Sequence, residues 1–147
     1  MQISSRFTIA VHILTALDYF GSEMKVTSNF LAGSVGVNPV IVRNVLGSLK
    51  AAGLINSSQG KSGIALARPL EKISFYDVYQ AVDCVKDEGL FHFHEKPNPA
   101  CPVGRYIHKG MDEKILRVQQ AMENEMKRIF LADVVKDVQG ALSAEMT

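Results

Sequence analysis

Hydrophobic positions along the chain fall into blocks with different spacings. From Phe7 to Phe20, Phe7, Ala10, Val11, Leu14, Leu17 and Phe20 recur at helical intervals. Ile9, Ile13 and Ala16 widen that stripe until only Thr8, His12, Thr15 and Asp18 remain polar. A helix apolar on nearly every side predicts two packing partners, its own core and a second subunit, with His12 a partnered histidine on a buried helix. Phe30, Leu31 and Val35 form the single stripe of a short helix capped by Thr27 or Ser28. Ala32, small enough for a close helix crossing, is followed four residues later by Gly36, where a turn needs positive φ. Asn38-Pro39 then opens another helix, since Asn38 caps free amides and Pro39 at the first helical position loses no hydrogen bond. Val42 and Val45 hold it against the first helix, it runs on through Leu49, Lys50 and Ala52, and Gly53 ends it.

Two short apolar runs, Leu54-Ile55 and Ile64–Ala67, flank a polar turn rich in glycine and serine, which predicts a β-hairpin. Ser74 caps a helix predicted over Phe75–Cys84, with Phe75, Val78, Tyr79 and Val82 on one face and Asp77 and Asp83 solvated. Gly89, Pro97, Pro99 and Pro102 forbid a regular element over Lys86–Pro102. From Val103 the helical pattern resumes through Tyr106, Ile107, Met111, Ile115, Val118, Met122, Met126 and Ile129, a helix of about 25 residues or more. A small domain cannot cover so long a stripe, so Met111, Ile115, Val118, Met122 and Met126 are expected to face a second copy of the chain. Phe130–Val138 reads as a final short helix.

The pattern predicts a mainly α fold with a small β-hairpin (α+β). Residues 1–84 are expected to form a winged helix-turn-helix and 85–102 a sensor loop. Residues 103–139 would form the dimerisation helices, and 140–147 a flexible tail.

Composition narrows the class. Of the 147 residues, 47% are hydrophobic and 21% charged, which excludes a disordered chain. No apolar run approaches the ~20 residues of a membrane span. Arg6, His12 and Asp18 interrupt the first apolar stretch as no signal peptide would, so a cytoplasmic protein is expected, without membrane partners. Its two cysteines are then expected to be free thiols. Residues 1–68 carry six basic and two acidic side chains, and residues 69–147 ten basic and thirteen acidic. A basic front and an acidic back suit a DNA-contacting module joined to one with another task.

Helix, tight turn, helix and hairpin, in that order, is the winged helix-turn-helix, whose second helix enters the major groove of double-stranded DNA. On that helix Asn38, Pro39, Val40, Arg43 and Asn44 occupy the reading half. Arg43 suits guanine O6 and N7, Asn44 suits adenine N6 and N7, and Val40 suits a thymine methyl. Ser5 and Arg6, Lys50, Lys61 and the amides near Thr27 and Ser28 suit phosphates. Cys101, at the start of the long helix, is a candidate sensor thiol, alone or paired with Cys84. His92, His94, Cys101 and His108 have ligand chemistry but not a spacing that identifies a metal site, so no cofactor is expected. Phosphate-cradling loops, metalloprotease helices and nucleophile elbows are missing from the sequence, so no enzyme is expected.

Four stretches closely resemble the Rrf-two family of bacterial transcriptional repressors, the IscR/NsrR/CymR group. They are Ser4–Phe7, Val37–Asn44, Gly60–Pro69 and Ile73–Val78, and the resemblance runs over essentially the whole chain. It implies a homodimer joined through the long helix, binding a partly palindromic operator and usually repressing. Two departures stand out. The family's wing arginine is replaced by Gln59, which can hydrogen-bond in the minor groove but brings no charge, and the first glycine of its Gly-Gly pair is Ser62. Cluster-binding members carry three closely spaced cysteines, of which only Cys101 is matched here, so no iron–sulfur cluster is expected. Control then falls to a thiol, a small-molecule effector or a protein co-regulator. The alternative is a protein-interaction winged helix acting with a metabolic enzyme.

Overall fold

The computed structural model describes residues 4–57, 63–82 and 89–146. Gln59, Lys61 and Cys84, with Ser62 and Asp83, therefore lie outside the described residues. Helix α1 spans Arg6–Phe20, α2 Ser28–Val35 and α3 Pro39–Ala51. Strands β1 (Ile55–Ser57) and β2 (Ile64–Leu66) pair antiparallel, with Asn56 opposite Ala65. A 3-10 turn over Leu70–Lys72 leads to α4 (Phe75–Ala81), α5 (Pro102–Met126) and α6 (Leu131–Glu145).

One core holds α1 at its centre. Ala10, Ile13 and Leu14 are fully buried against Leu31 of α2, Val42, Val45 and Leu49 of α3, and Val78 of α4. The turn between α2 and α3 forms as its residues dictate. The Thr27 hydroxyl accepts from the Phe30 amide at 3.2 Å, and Gly36 takes φ +80°, a conformation cheap only without a Cβ. Asn38 Oδ1 accepts from the Val40 amide at 2.8 Å and starts α3. The wing is tied to the core where Ile64 N–H donates to Val26 C=O at 3.1 Å. Gly63, at φ +66°, lies so close to the Val26 carbonyl that any Cβ would collide with it.

Ser74 caps α4, and Asp77 does more than face solvent. The Ser74 hydroxyl accepts from the Asp77 amide at 3.1 Å, and the Asp77 carboxylate accepts from the Ser74 amide at 3.0 Å and from Arg68 at 3.3 Å. This reciprocal cap is buried at Ser74. Ser74→Ala is expected to cost about 1 kcal/mol in chemical denaturation. An unchanged midpoint would show that the cap adds nothing beyond water.

Helix α6 departs from expectation twice. It continues to Glu145 rather than ending near Val138, so residues 140–145, expected as a flexible tail, are helical. Gly140 interrupts only helix propensity there, and Ala141, Leu142 and Ala144 restore it. It also returns to the first module instead of staying with α5. Phe75 N–H donates to Ile129 C=O at 2.8 Å and Leu131 N–H to Ile73 C=O at 2.9 Å, which docks the α6 start beside α4. Leu131 and Val135 then complete the core.

The all-apolar α1 is not fully covered within one chain. An open groove of about 640 Å³ runs between α1 and α6, lined by Val11, Ala16, Tyr19, Phe20, Val134 and Val138 among others. His12 is exposed at its rim, with Nε2 2.9 Å from the Ser34 hydroxyl, so it is partnered on the surface and not buried.

Candidate nucleic-acid interface

The inner side of α3 is Val42, Val45, Leu46 and Leu49, all buried. Helical geometry therefore turns Val40, Asn44, Gly47 and Ala51 directly outward, with Arg43 and Lys50 on one flank and Ile41 on the other. All are exposed, and Val40 and Ile41 keep 54% and 42% of their surface in solvent. Two large aliphatic side chains on a free helix face are what apolar contact with thymine methyls would use. Among the described residues the Arg43 guanidinium has no hydrogen bond or ion pair. Thr27 is exposed at the start of α2, with Ser28 half-buried beside it.

Arg6 and Ser5 behave differently from each other. Ser5 is exposed and its hydroxyl makes no cap hydrogen bond. Arg6 turns inward: Nε donates to Val82 C=O at 3.2 Å and Nη2 to the Ser48 hydroxyl at 2.9 Å. Its guanidinium clamps the beginning of α1 to α3 and to the end of α4. Sequence spacing could not reveal this, because the partners are 42 and 76 residues away.

The segment ahead of α5, described from Gly89, is strapped to that helix. Leu90 N–H donates to Gln119 Oε1 at 2.8 Å, and Arg105 Nε donates to Pro99 C=O at 2.9 Å. Gly104 lies against the Asn98 carbonyl, where a Cβ would not fit. His108 Nδ1 is 3.0 Å from Asp112, its ring 5.0 Å from that of His94 and edge-on to Phe93. The Asp112 hydrogen bond holds the His108 pKa above the usual histidine value. Among the described residues no three His, Cys, Asp or Glu side chains gather as a metal site. Cys101 is exposed at the N-cap of α5. The backbone amides of Gly104 and Val103 at the start of α5 hold its pKa below that of an ordinary thiol.

Along α5 no residue is buried. Met111, Ile115, Met122 and Met126 are half-buried, while Val103, Tyr106 and Val118 are 68%, 57% and 58% exposed. No single helix among the described residues is long and apolar enough to cross a membrane.

A helix-turn-helix with a hairpin behind it and an uncommitted outer face on its second helix defines a winged-helix transcriptional regulator. The chain belongs to the Rrf2 family, whose model, described as iron-dependent transcriptional regulator, matches residues 3–137. It is 42% identical over 134 residues to a Bacillus subtilis (strain 168) protein named as an HTH-type transcriptional regulator, YwnA, covering 91% of this chain and 97% of that one. A crystal structure described as that of a DNA binding protein is 35% identical, with a TM-score of 0.68, covering 88% of this chain and 98% of the other. T. potens IscR shares the fold at 23% identity and a TM-score of 0.68, over 96% of this chain and 90% of its own. Regulators of this family are not enzymes, as the sequence led us to expect.

The iron of the family description meets a donor set that does not fit a thiolate-held cluster. The chain has two cysteines, of which Cys101 alone opens the long helix, whereas an all-thiolate cluster takes four.

Proposed function

We propose that the protein is a homodimeric repressor that places the α3 helices of its two copies in successive major grooves of a partly palindromic operator. The observation that carries this is the free outer face of α3, where Asn38, Val40, Arg43 and Asn44 stand exposed on a helix anchored by four buried residues. Arg43 reads guanine, Asn44 adenine and Val40 a thymine methyl. Lys50, Ser5 and the Thr27–Ser28 helix start hold phosphates, and Gln59 and Lys61 extend the contact from the wing. Arg6 acts through α3 by fixing its angle rather than by touching DNA. The stripe of α5, on which no residue is buried, and the open α1–α6 groove together support a second copy as the missing partner. The protein works in the cytoplasm.

Selection of bound duplexes from a random pool tests this. Two inverted half-sites about one helical turn apart are expected. Recovery of no common motif would overturn it. Selection at physiological salt without any other protein also rejects the co-regulator reading if a motif emerges.

Control through the thiol rests on Cys101. A lowered pKa enlarges the thiolate fraction at neutral pH, and this gain outweighs the accompanying fall in intrinsic nucleophilicity. Iodoacetamide is expected to alkylate Cys101 faster in the folded protein than in concentrated guanidinium. Equal rates, read by peptide mass spectrometry, would contradict it. Loss of operator binding on mild oxidation, restored by thiol reductant and abolished in Cys101→Ser, is the expected functional readout.

A further inference from the structure

Gly47 shares an open helix-interior position with Gly33, Gly110 and Gly140, where a Cβ meets nothing within 4 Å, but of these four it alone lies on α3. It lies in the middle of α3 with helical backbone, and a Cβ built there meets no atom within 4 Å. Gly36 and Gly63 are fixed by positive φ, and Gly104 by close contact with Asn98. Gly47 relieves none of these, yet it costs helix stability relative to alanine at every moment the protein is folded. Its position adds the second half of the argument. It falls on the outward line of α3, three residues after Asn44 and seven after Val40, one turn beyond the residues already placed at the reading surface.

We propose that Gly47 sets the depth at which α3 enters the major groove. The missing side chain lets the helix backbone close onto the duplex, so that the short side chains of Asn44 and Val40 reach base edges they would otherwise miss. Asparagine and valine extend only a few bonds from the helix, so a methyl group inserted beside them lifts both away together. The inference rests on the reading of α3 as the recognition helix and names the feature that makes its short readers effective. It also predicts that stability and affinity move in opposite directions at this one position.

Gly47→Ala tests it, with Gly140→Ala in α6 as control, since that glycine is equally exposed and equally open. Both variants are expected to melt about 2–4 °C higher than the parent. Gly47→Ala should bind the selected operator at least about tenfold more weakly, the worth of one lost base contact. Its affinity for a scrambled duplex should stay within about twofold of the parent, because phosphate attraction survives a small retreat of the helix. Gly140→Ala should bind both duplexes as the parent does. Unchanged operator affinity in Gly47→Ala, or an equal loss on operator and scrambled DNA, overturns the proposal. A parent protein with no sequence preference at all would instead overturn the recognition-helix reading, and that failure shows before any substitution is made.

Discussion

Val118→Glu is expected to convert the protein to a monomer and to weaken operator binding by about a hundredfold or more. Val118 lies on the α5 stripe and is 58% exposed in the single chain, so glutamate there meets water and does not disturb the fold. Glutamate is also the better helix former, which leaves α5 itself at least as stable. In the proposed dimer the same site would face its copy, and the two-fold axis would bring in two carboxylates at once. Leaving an unpaired charge in an apolar interface costs about 3–5 kcal/mol, enough alone to raise a dissociation constant by more than a hundredfold. Operator affinity falls with it, because a monomer holds one half-site and loses the effective concentration of the second reading head. Light scattering and operator titration should move together. A dimer persisting in Val118→Glu would show that the α5 stripe is not the contact.

Arg43→Ala carries the second large effect. The side chain has no partner among the described residues, so its removal leaves no buried group unsatisfied and the fold should melt unchanged. A bidentate contact to guanine is worth about 1–3 kcal/mol, which predicts ten- to hundredfold weaker operator binding and relaxed preference at one base pair in each half-site. An equal loss on every sequence would make Arg43 a phosphate contact instead. Because the proposal assigns Arg43 and Val118 to different steps, base reading and pairing of subunits, Arg43→Ala should remain a dimer.

Much of the fold was legible because its key positions are decided locally. Gly36 and Asn38-Pro39 fix the turn and the start of α3 through backbone conformation and capping, and Ala32 permits the crossing. The long spacing pattern after Val103 gave α5 within one residue of its observed start, Pro102. What escaped was long-range. The inward turn of Arg6 depends on a serine and a carbonyl brought near only by the finished core. The docking of α6 on α1 depends on a reversal at residues 127–130 that pairs Phe130 with Ser74. A signal for the length of α6 did exist, since Val134, Val138 and Leu142 continue the four-residue step past Gly140. The role of Asp77 shows only when the Ser74 cap and its N3 carboxylate are taken as one motif, because each accepts from the other's amide. In the candidate interface, sequence position alone placed Asn38, Val40, Arg43 and Asn44 on the reading helix, and all four are exposed there. Burial of Val42, Val45 and Leu49 is what turns that half outward.

The central claim is that two copies of α3 occupy successive major grooves. Methylation interference on the selected operator measures this directly, because guanine N7 lies in the major groove and adenine N3 in the minor groove. Two symmetric clusters of interfering guanine N7 positions, about one helical turn apart, are predicted. A single cluster, or interference confined to adenine N3, would contradict the account.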